Sequence, residues 1–344
     1  MSRIRVVSVF LTFTLLTGCG SDHQSAKKPA VRLAVTRGGL LYIPVYLARS
    51  LGYYDQEGLD VSLQEMAGTP KSMQSLLGGS SDVGSGGFMS VVMMNAERRS
   101  VQAFFVLFRY SAFIGLVSPN TQKSITRIED LDGTTVGVSS PGSDGQMLLN
   151  FICLSRGVNP AHVKVVGVGA GMSAAMALEH GTVDAGLDSG MNVSLIRKRH
   201  PNTAILFDLR SRAGLQKYLG VEDLAQSVLY AKADWIRDHP DTVRRIVRAT
   251  FKASEWARSH SPAEVRDRLP SSLLSGDSEV DLDAIGSMIP LLSPDGMFSP
   301  EQLEAARKIL AVTNESIRTG QAADLSQSYT NQFISRTVGE APRQ

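Results

Sequence analysis

Residues Ile43–Glu65 read IPVYLARSLGYYDQEGLDVSLQE and carry the clearest pattern for the fold of this chain. Apolar residues at helical spacing over Ile43–Tyr54 predict a helix closed by Gly52. Alternating apolar and polar residues over Leu59–Glu65 predict a strand, and a further strand is predicted before the helix, at Val31–Thr36. A strand, a helix and a second strand in this order are typical of an α/β fold with a mostly parallel sheet.

The alternation of strands and helices continues to Phe108 and restarts after Pro119, which predicts two α/β lobes. The predicted elements after the first strand, helix and strand are, in chain order, helix Lys71–Leu77, strand Asp82–Gly84, a helix from near Gly87, strand Val101–Phe108, helix Thr126–Leu131, strand Thr134–Val138, helix Gly145–Arg156, strand Val163–Val168, helix Met172–Glu179, strand Val183–Leu187, helix Met191–Arg199, strand Thr203–Leu209 and strand Gln226–Ala231. The rest is predicted to be almost wholly helical: Asp241–Ser259, Pro262–Leu269, Asp281–Ile289, Pro300–Ile317 and Asp324–Thr337.

This order predicts two lobes that the chain crosses between twice. Residues 31–115 and 211–344 are assigned to lobe 1, which includes the helical C-terminal part, and residues 116–210 to lobe 2. Crossings near Phe113–Val117 and near Arg210–Gln226 would form a hinge. Because ligands of such folds bind at the carboxyl ends of the strands, we expect an interlobe cleft.

The N-terminal segment predicts export and lipidation. A cationic start precedes the apolar run Val6–Leu16, which is too short to span a membrane and suits a signal peptide. The run ends in LTGC, which resembles the lipobox of bacterial lipoproteins. We expect residues 1–18 to be a signal peptide, Cys19 to be the lipidated membrane anchor and residues 19–30 to be a tether. The alternative is an ordinary secretory peptide with an incidental cysteine.

Composition excludes several classes of protein. Lys plus Arg number 35 against 33 acids, and Arg3 and Arg5 lie in the predicted signal peptide, so the mature chain balances at 33 against 33. A neutral chain lacks the charge pattern of a nucleic-acid-binding protein. With 43% hydrophobic residues, a packed core is expected. Only Cys153 remains beside Cys19, and its apolar surroundings predict a buried structural role.

Ile43–Glu65, followed by DVGSGGF at residues 82–88, resembles substrate-binding proteins of the nitrate, sulfonate and taurine type, which serve ABC importers. Thiamine-pyrimidine-synthase-like proteins share that fold. Residues 131–169, 176–186 and 227–257 continue the resemblance in family order. It implies a type II periplasmic-binding-protein fold in which two lobes close on a small ligand. It also implies a monomer in the cell envelope, without a cofactor, that delivers its ligand to an ABC permease and its ATPase.

Three loops at predicted strand ends are the best candidates for holding the ligand. Glycine lets the backbone approach a ligand closely, and helix starts attract negative charge. The alternative is that these loops are plain turns and helix caps. The candidates are Arg37, Gly38, Gly39 and Tyr42 in the first loop, Ser85, Gly86, Gly87 and Phe88 in the second, and Ser139, Ser140, Gly142 and Ser143 in the third, together with Met172 and Asp188. Asp188 is equally suited to cap the following helix.

The candidate residues give opposite indications about the charge of the ligand. Helix starts at Gly39, Gly87 and Gly142 favour an anionic group. However, Arg37 is the only cation in these loops, and Asp188 adds a negative charge. We therefore expect a small organic ligand, anionic or heteroaromatic, whose binding Gly142→Val should weaken severely. Asp188→Asn should separate the two options, because it would weaken only a ligand that donates a hydrogen bond.

An enzyme and a sensor are the competing functions. The six histidines are scattered, and neither H-E-x-x-H, Cys-x-x-Cys nor G-x-S-x-G occurs, so catalysis is not expected. The resemblance adds that pyrimidine-synthase relatives carry a cysteine-rich iron-binding motif, which one remaining cysteine cannot reproduce. A ligand-sensing lipoprotein that signals to a membrane receptor stays open, because binding and closure would leave the same pattern in the sequence.

Overall fold

The computed structural model describes residues 28–36, 39–322 and 324–334. The predicted signal peptide, Cys19 and the candidate ligand residues Arg37 and Gly38 lie outside the described residues. The strands are β1 Ala30–Thr36, β2 Asp60–Met66, β3 Val83–Gly87, β4 Val101–Phe108, β5 Ile114–Val117, β6 Thr135–Val138, β7 Lys164–Gly167, β8 Ala185–Asp188, β9 Ile205–Asp208 and β10 Ser227–Lys232. They form two five-stranded sheets, which define lobe 1 and lobe 2 below.

Helices flank both sheets, which confirms the predicted α/β class. The α-helices are α1 Ile43–Ser50, α2 Tyr53–Gln56, α3 Thr69–Leu77, α4 Phe88–Ala96, α5 Asp144–Ser155, α6 Met172–Glu179, α7 Met191–Arg199, α8 Arg212–Leu219, α9 Ala233–Asp238, α10 Pro240–Ser259, α11 Pro262–Arg266, α12 Ser278–Met288, α13 Pro300–Leu310 and α14 Glu315–Arg318. Short 3-10 helices cover Leu40–Tyr42, Ile128–Leu131, Pro160–His162, Ser271–Leu273, Ile289–Leu291 and Leu325–Ser328.

The two sheets have the same topology. Lobe 1 has the strand order β2-β1-β3-β10-β4, and lobe 2 has the order β7-β6-β8-β5-β9. In lobe 1, β1 runs parallel to β2 and β3, and in lobe 2, β6 runs parallel to β7 and β8. The first strand after each change of lobe, β5 or β10, is antiparallel to both its neighbours. Both sheets are therefore mixed, with a parallel part that directs its carboxyl ends to one edge.

The structure corrects the predicted crossings. Ile114–Val117 is not a hinge segment but strand β5, which lies between β8 and β9 and spans the predicted boundary at residue 115. The chain thus enters lobe 2 within residues 109–113. In the second crossing, α8 was not predicted; it packs against β9 and α5 of lobe 2, so the return lies within residues 220–226.

Other predicted bounds change where glycine or a short turn interrupts a pattern. Gly52 has φ +71 and separates α1 from α2, because a left-handed residue cannot continue a helix. The predicted helix Pro300–Ile317 divides into α13 and α14, and α9 precedes the predicted helix that became α10. Within its described residues, Asp324–Thr337 contains only the 3-10 helix Leu325–Ser328.

The C-terminal helices pack on both lobes. Helix α10 lies against α1 and α2 of lobe 1, and the guanidinium of Arg248 contacts the carboxylate of Glu57, which directly follows α2, at 2.6 Å. Helix α12 lies against α7 of lobe 2, where the Ser194 hydroxyl donates to Asp283 Oδ2 at 2.6 Å. Cys153 is fully buried, as predicted, and burial raises the pKa of its thiol to about 11. Among the described helices, none combines the length and apolar character that crossing a bilayer requires.

Candidate functional site

A narrow cavity lies between the lobes, where the parallel strands of both sheets end. Its volume is about 50 Å³, and it is partly open to solvent. Its walls are Thr36, Leu41, Tyr42, Thr69, Gly87 and Gln226 from lobe 1 and Phe113, Ser139, Ser143, Asp144, Gly145, Gly169, Ala170, Leu187, Asp188, Ser189 and Asn192 from the crossing and lobe 2. The cavity therefore occupies the place that the strand order predicts for a ligand.

The lobe 1 wall is held by hydrogen bonds between strand ends. The Thr36 amide donates to Ser85 Oγ at 3.2 Å, and the Thr36 hydroxyl donates to the Ser85 carbonyl at 2.8 Å. These bonds join the ends of β1 and β3. Burial raises the pKa of the Tyr42 hydroxyl well above the usual range, although the neighbouring Thr36 and Thr69 side chains act in the opposite direction. Tyr42 thus stays neutral and presents a fixed aromatic wall.

Asp144, at the start of α5, reaches across from lobe 2 to lobe 1. Its Oδ2 accepts from the Met89 amide at 3.1 Å, and its Oδ1 accepts from the Ser90 hydroxyl at 2.6 Å. Both donors belong to the first turn of α4, where backbone amides lack partners within the helix and favour negative charge. Burial raises the pKa of Asp144 to about 6, although these hydrogen bonds act in the opposite direction. The carboxyl group closes the cleft at this point.

Gly87 makes this contact between the lobes sterically feasible. A Cβ atom on Gly87 would lie 2.0 Å from the Cγ and Oδ2 atoms of Asp144, far inside van der Waals contact. The backbone of Gly87 has φ −79 and ψ 144, which any residue adopts. The glycine is therefore needed for close approach and not for its conformation.

Asp188 is the second carboxyl group of the cavity. It ends β8, is 5% exposed, and its Oδ1 accepts from Asn192 Nδ2 at 2.6 Å. Among the described residues, no donor bonds to its Oδ2. Burial raises the pKa of Asp188 to about 6, and the bond from Asn192 opposes that rise. One side of this carboxyl group is therefore fixed by α7, and the other has no partner.

Further polar atoms in the cavity have no partner. Gln226 is 3% exposed and Ser143 is 4% exposed, and no described residue forms a hydrogen bond with Gln226 Oε1 or Ser143 Oγ. A buried polar atom without a partner costs about 1–3 kcal/mol, so such atoms usually indicate a missing ligand or water. Among the described residues that line the cavity, none is Lys, Arg or His. The described walls thus include two carboxyl groups and the amide oxygen of Gln226, all of which can accept hydrogen bonds.

The structure brings some of the predicted residues together and separates others. Tyr42, Gly87, Ser139, Ser143 and Asp188 line the cavity. The remaining described candidates do not line it: Gly39, Ser85, Gly86, Phe88, Ser140, Gly142 and Met172.

Structural features explain why several of these candidates do not line the cavity. Phe88 is fully buried and packs against Phe298 in the core, with ring centroids 5.0 Å apart. The Gly142 amide is already used, because it donates to Gln146 Oε1 at 2.7 Å. Met172 is 40% exposed at the start of α6. Gly86 packs so tightly against Thr69 that a Cβ would lie 2.5 Å from its methyl group.

Sequence reasoning missed Asp144, Gln226 and Asn192. Asp144 directly follows the predicted loop Ser139–Ser143, and an acid in the first turn of a helix is so common that it carries no signal. Gln226 precedes a strand from the second crossing, which reaches the cavity only through the sheet order. Asn192 stands four residues after Asp188, and this spacing could have suggested their contact.

The two mixed sheets with their flanking helices have the fold of periplasmic binding proteins. The chain belongs to the NMT1/THI5-like family, whose model matches residues 41–264. A solved structure from Bordetella bronchiseptica RB50 is similar over 92% of this chain and 99% of that chain, with a TM-score of 0.84 and 29% identity. The periplasmic aliphatic sulphonate binding protein SsuA from Escherichia coli shares the fold, with a TM-score of 0.65 and 19% identity over 87% of this chain and 91% of SsuA.

Two sequence relatives carry different names. YtlA of Bacillus subtilis is 24% identical over 302 residues, which cover 87% of this chain and 84% of YtlA. The 4-amino-5-hydroxymethyl-2-methylpyrimidine phosphate synthase of Schizosaccharomyces pombe is 25% identical over 222 residues, 62% of this chain and 61% of the synthase. Family membership and fold thus confirm the resemblance seen in the sequence, and the relatives include both a binding protein and an enzyme by name.

Proposed function

We propose that this protein is a lipid-anchored substrate-binding protein that captures a small organic ligand between its lobes and delivers it to an ABC importer. The observation that carries the proposal is the cavity itself. It is formed by strand ends of both lobes and closed by the Asp144 carboxyl group, so a ligand inside it touches both lobes at once. The fold shared with the sulphonate-binding SsuA supports this role.

In this proposal, the lobes move about two short crossings, residues 109–113 and 220–226. Arg109 and Asp223 join the crossings, with Arg109 Nη2 2.8 Å from Asp223 Oδ2. Gln302 donates to the other carboxylate oxygen of Asp223 at 3.1 Å. Such a pair holds the two crossings together while the lobes rotate. Opening would separate Asp144 from α4 and expose the cavity to ligand.

Ligand binding and closure are tested together. A screen of small organic compounds by thermal shift should identify one that stabilises the folded protein, by about 2.7 kcal/mol at 100 times its dissociation constant. Small-angle X-ray scattering with that compound should then show a smaller radius of gyration than without it. Tight binding with identical scattering profiles would refute closure, and a broad screen without any stabilising compound would refute ligand capture.

The membrane anchor has its own test. Cys19→Ser should leave an uncleaved or mislocalised precursor, because the lipobox-like LTGC would lose the cysteine that receives the lipid. The matched control is Cys153→Ala, which removes the buried cysteine and should leave localisation unchanged. Mass spectrometry of the membrane fraction that finds wild-type protein with an intact N-terminus and no lipid would refute the anchor.

A second candidate function is catalysis, favoured by the synthase relatives and by two buried carboxyl groups with pKa values near 6. Carboxyl groups of this kind can transfer protons near neutral pH. A binding protein returns its ligand unchanged, whereas an enzyme returns a product. Mass spectrometry of the compound recovered after long incubation with the protein separates the two. A sensor would instead keep its cellular effect when the permease gene is deleted.

A further inference from the structure

The polar groups of the cavity indicate the charge of its ligand. We propose that the cavity selects a small organic cation, whose amidinium, guanidinium or ammonium N–H groups hydrogen-bond to Asp188 and Gln226. This inference rests on the proposed function, because it names the class of ligand for the same cavity. It replaces the anionic ligand that the sequence left open with a cation, on the positions of the side chains of Asp144, Asp188, Gln226 and Ser143.

The first observation is that one helix start at the cavity, that of α4, already holds a carboxyl group. The start of α4 offers the Met89 amide and the Ser90 hydroxyl, and Asp144 accepts a hydrogen bond from each. An anionic group such as a sulfonate would bind at a helix start of this kind. Here it would have to displace the Asp144 carboxyl group, or lie close to it. The protein thus supplies its own anion.

The second observation is that the Asp188 side chain has an oxygen atom to which no described residue donates a hydrogen bond. Asp188 is held by Asn192 through Oδ1 alone, and no described residue donates to Oδ2. Gln226 contributes a carbonyl oxygen without a partner, and it is 3% exposed. Ser143 Oγ is likewise without a partner in the same cavity. A ligand with several N–H groups would satisfy Asp188 Oδ2 and Gln226 Oε1, whereas an anion has no donor for these two acceptors. The Ser143 hydroxyl can donate or accept and so suits either kind of ligand.

The third observation concerns charge and shape. Both carboxyl groups have pKa values raised by burial to about 6, and a cation nearby would favour their ionised form. Among the described lining residues no cation balances the two carboxyl groups. Tyr42, Phe113 and Leu187 line the remaining walls. A compact cation with a flat apolar body matches this combination.

Two matched series of probes test the inference. Benzamidinium, benzamide and benzoate share a ring and differ in the charge of the head group, and acetamidinium, acetamide and acetate do the same at smaller size. Affinities are measured by titration calorimetry or by chemical-shift changes at pH 7.5. We expect the amidinium to bind most tightly in at least one series. Its affinity over the amide should be about 10-fold or more, as for a hydrogen bond to a charged group.

Asp188→Asn keeps the shape of the side chain and removes its charge. It should weaken the amidinium by about 10- to 150-fold and leave the neutral amide within about threefold. Gln226→Leu, a second variant at an independent position, should also weaken the amidinium. The control is Asp132→Asn, whose carboxyl group is 58% exposed and pairs with His162 at the surface. It should bind every probe as the wild type does, and thermal melts check that each variant is folded.

The opposite results overturn the inference. If benzoate or acetate binds more tightly than its amidinium, and Arg37→Gln weakens that binding, the ligand is an anion. If a compound from the general screen closes the lobes and Asp188→Asn leaves its affinity unchanged, Asp188 does not select the ligand. In both cases the proposed function still holds, but the inference that the ligand is a cation is wrong. If no compound of any charge stabilises the protein, the proposed function fails and the inference fails with it.

Discussion

Gly87→Ala is the smallest change that should force the lobes apart. The substitution adds one methyl group at the end of β3, where the backbone has φ −79 and ψ 144 and accepts alanine without strain. The added Cβ would lie 2.0 Å from Asp144 Cγ and Oδ2 and 2.3 Å from its Oδ1. Lobe 1 therefore keeps its own packing at this residue, and the clash falls on the Asp144 carboxyl group of lobe 2.

The size of the effect follows from the overlap. A separation of 2.0 Å has to grow to about 3.4 Å before the contact is ordinary. The carboxyl group can retreat only by losing its hydrogen bonds to the Met89 amide and the Ser90 hydroxyl, which are 3.1 Å and 2.6 Å long. Overpacking of this kind costs about 1–3 kcal/mol. The ratio of closed to open protein should fall by roughly 5- to 150-fold.

Hydrogen exchange at the Met89 amide is the most direct assay. This amide lies in the first turn of α4, where no helical carbonyl accepts from it, and its described acceptor is Asp144. Its exchange should accelerate in Gly87→Ala by a factor similar to the loss of closed protein. Gly145→Ala is the matched control, since its Cβ would lie 3.5 Å from the Phe113 ring, an ordinary contact. It should exchange like the wild type.

A second substitution decides whether the clash is the cause. Asp144→Ala removes the three atoms that the new methyl group would strike. In the Gly87→Ala background it should therefore restore most of the lost thermal stability, so the two changes are strongly non-additive. Wild-type stability and wild-type exchange at Met89 in the Gly87→Ala protein would refute the closed contact. Additive effects of the two substitutions would refute the steric explanation.

Three further results are expected. Burial raises the pKa of Asp144 from 3.8 to about 6, so the protonated carboxyl group stabilises the fold fully below pH 3.8, and this stabilisation, about 3 kcal/mol in all, is lost as the pH rises through about 6. The free energy of unfolding in urea, measured between pH 3.5 and 7.5, should therefore depend on pH with different slopes in the wild type and in Asp144→Asn, and parallel curves would contradict this. Arg109→Gln should lower the free energy of unfolding by about 1–2 kcal/mol, because the Asp223 side chain, which is only 10% exposed, loses its ion pair. The control Arg212→Gln, in which both partners of the ion pair with Glu222 are exposed, should change the free energy of unfolding by less than about 0.5 kcal/mol, and equal effects would argue against a special role for the crossing. Gly142→Val should lower the free energy of unfolding by about 1–2 kcal/mol, because Gly142 has φ +78, where a side chain is strained. Since Gly142 does not line the cavity, the ligand affinity measured by calorimetry should stay within about threefold of the wild type, and a severe loss would restore the loop Ser139–Ser143 as a ligand contact.

Local patterns explain why so much of the architecture could be predicted. The period of apolar residues gives β1, β2, α3 and α6 within a few residues, because each of these elements buries one face against a sheet or helix. The predictions fail where two patterns are equally consistent. Ile114–Val117 is apolar throughout, and its role as strand β5 depends on neighbours, β8 and β9, that come about 70 and 90 residues later.

The family and the α/β class could be predicted from the amino-acid sequence, because they depend on local spacing and on glycine and serine at turns. The loops at strand ends stay a prediction for the ligand site, and five of their residues and strand-end neighbours line the cavity. The tertiary structure alone decided which polar groups meet. Asp144 and Gly87 are 57 residues apart, and their contact exists only because the lobes close. Gln226 and Asp188 come from different sheets and face one cavity for the same reason. The charge of a site depends on which side chains lie close together in space, and the spacing of residues along the chain does not show this.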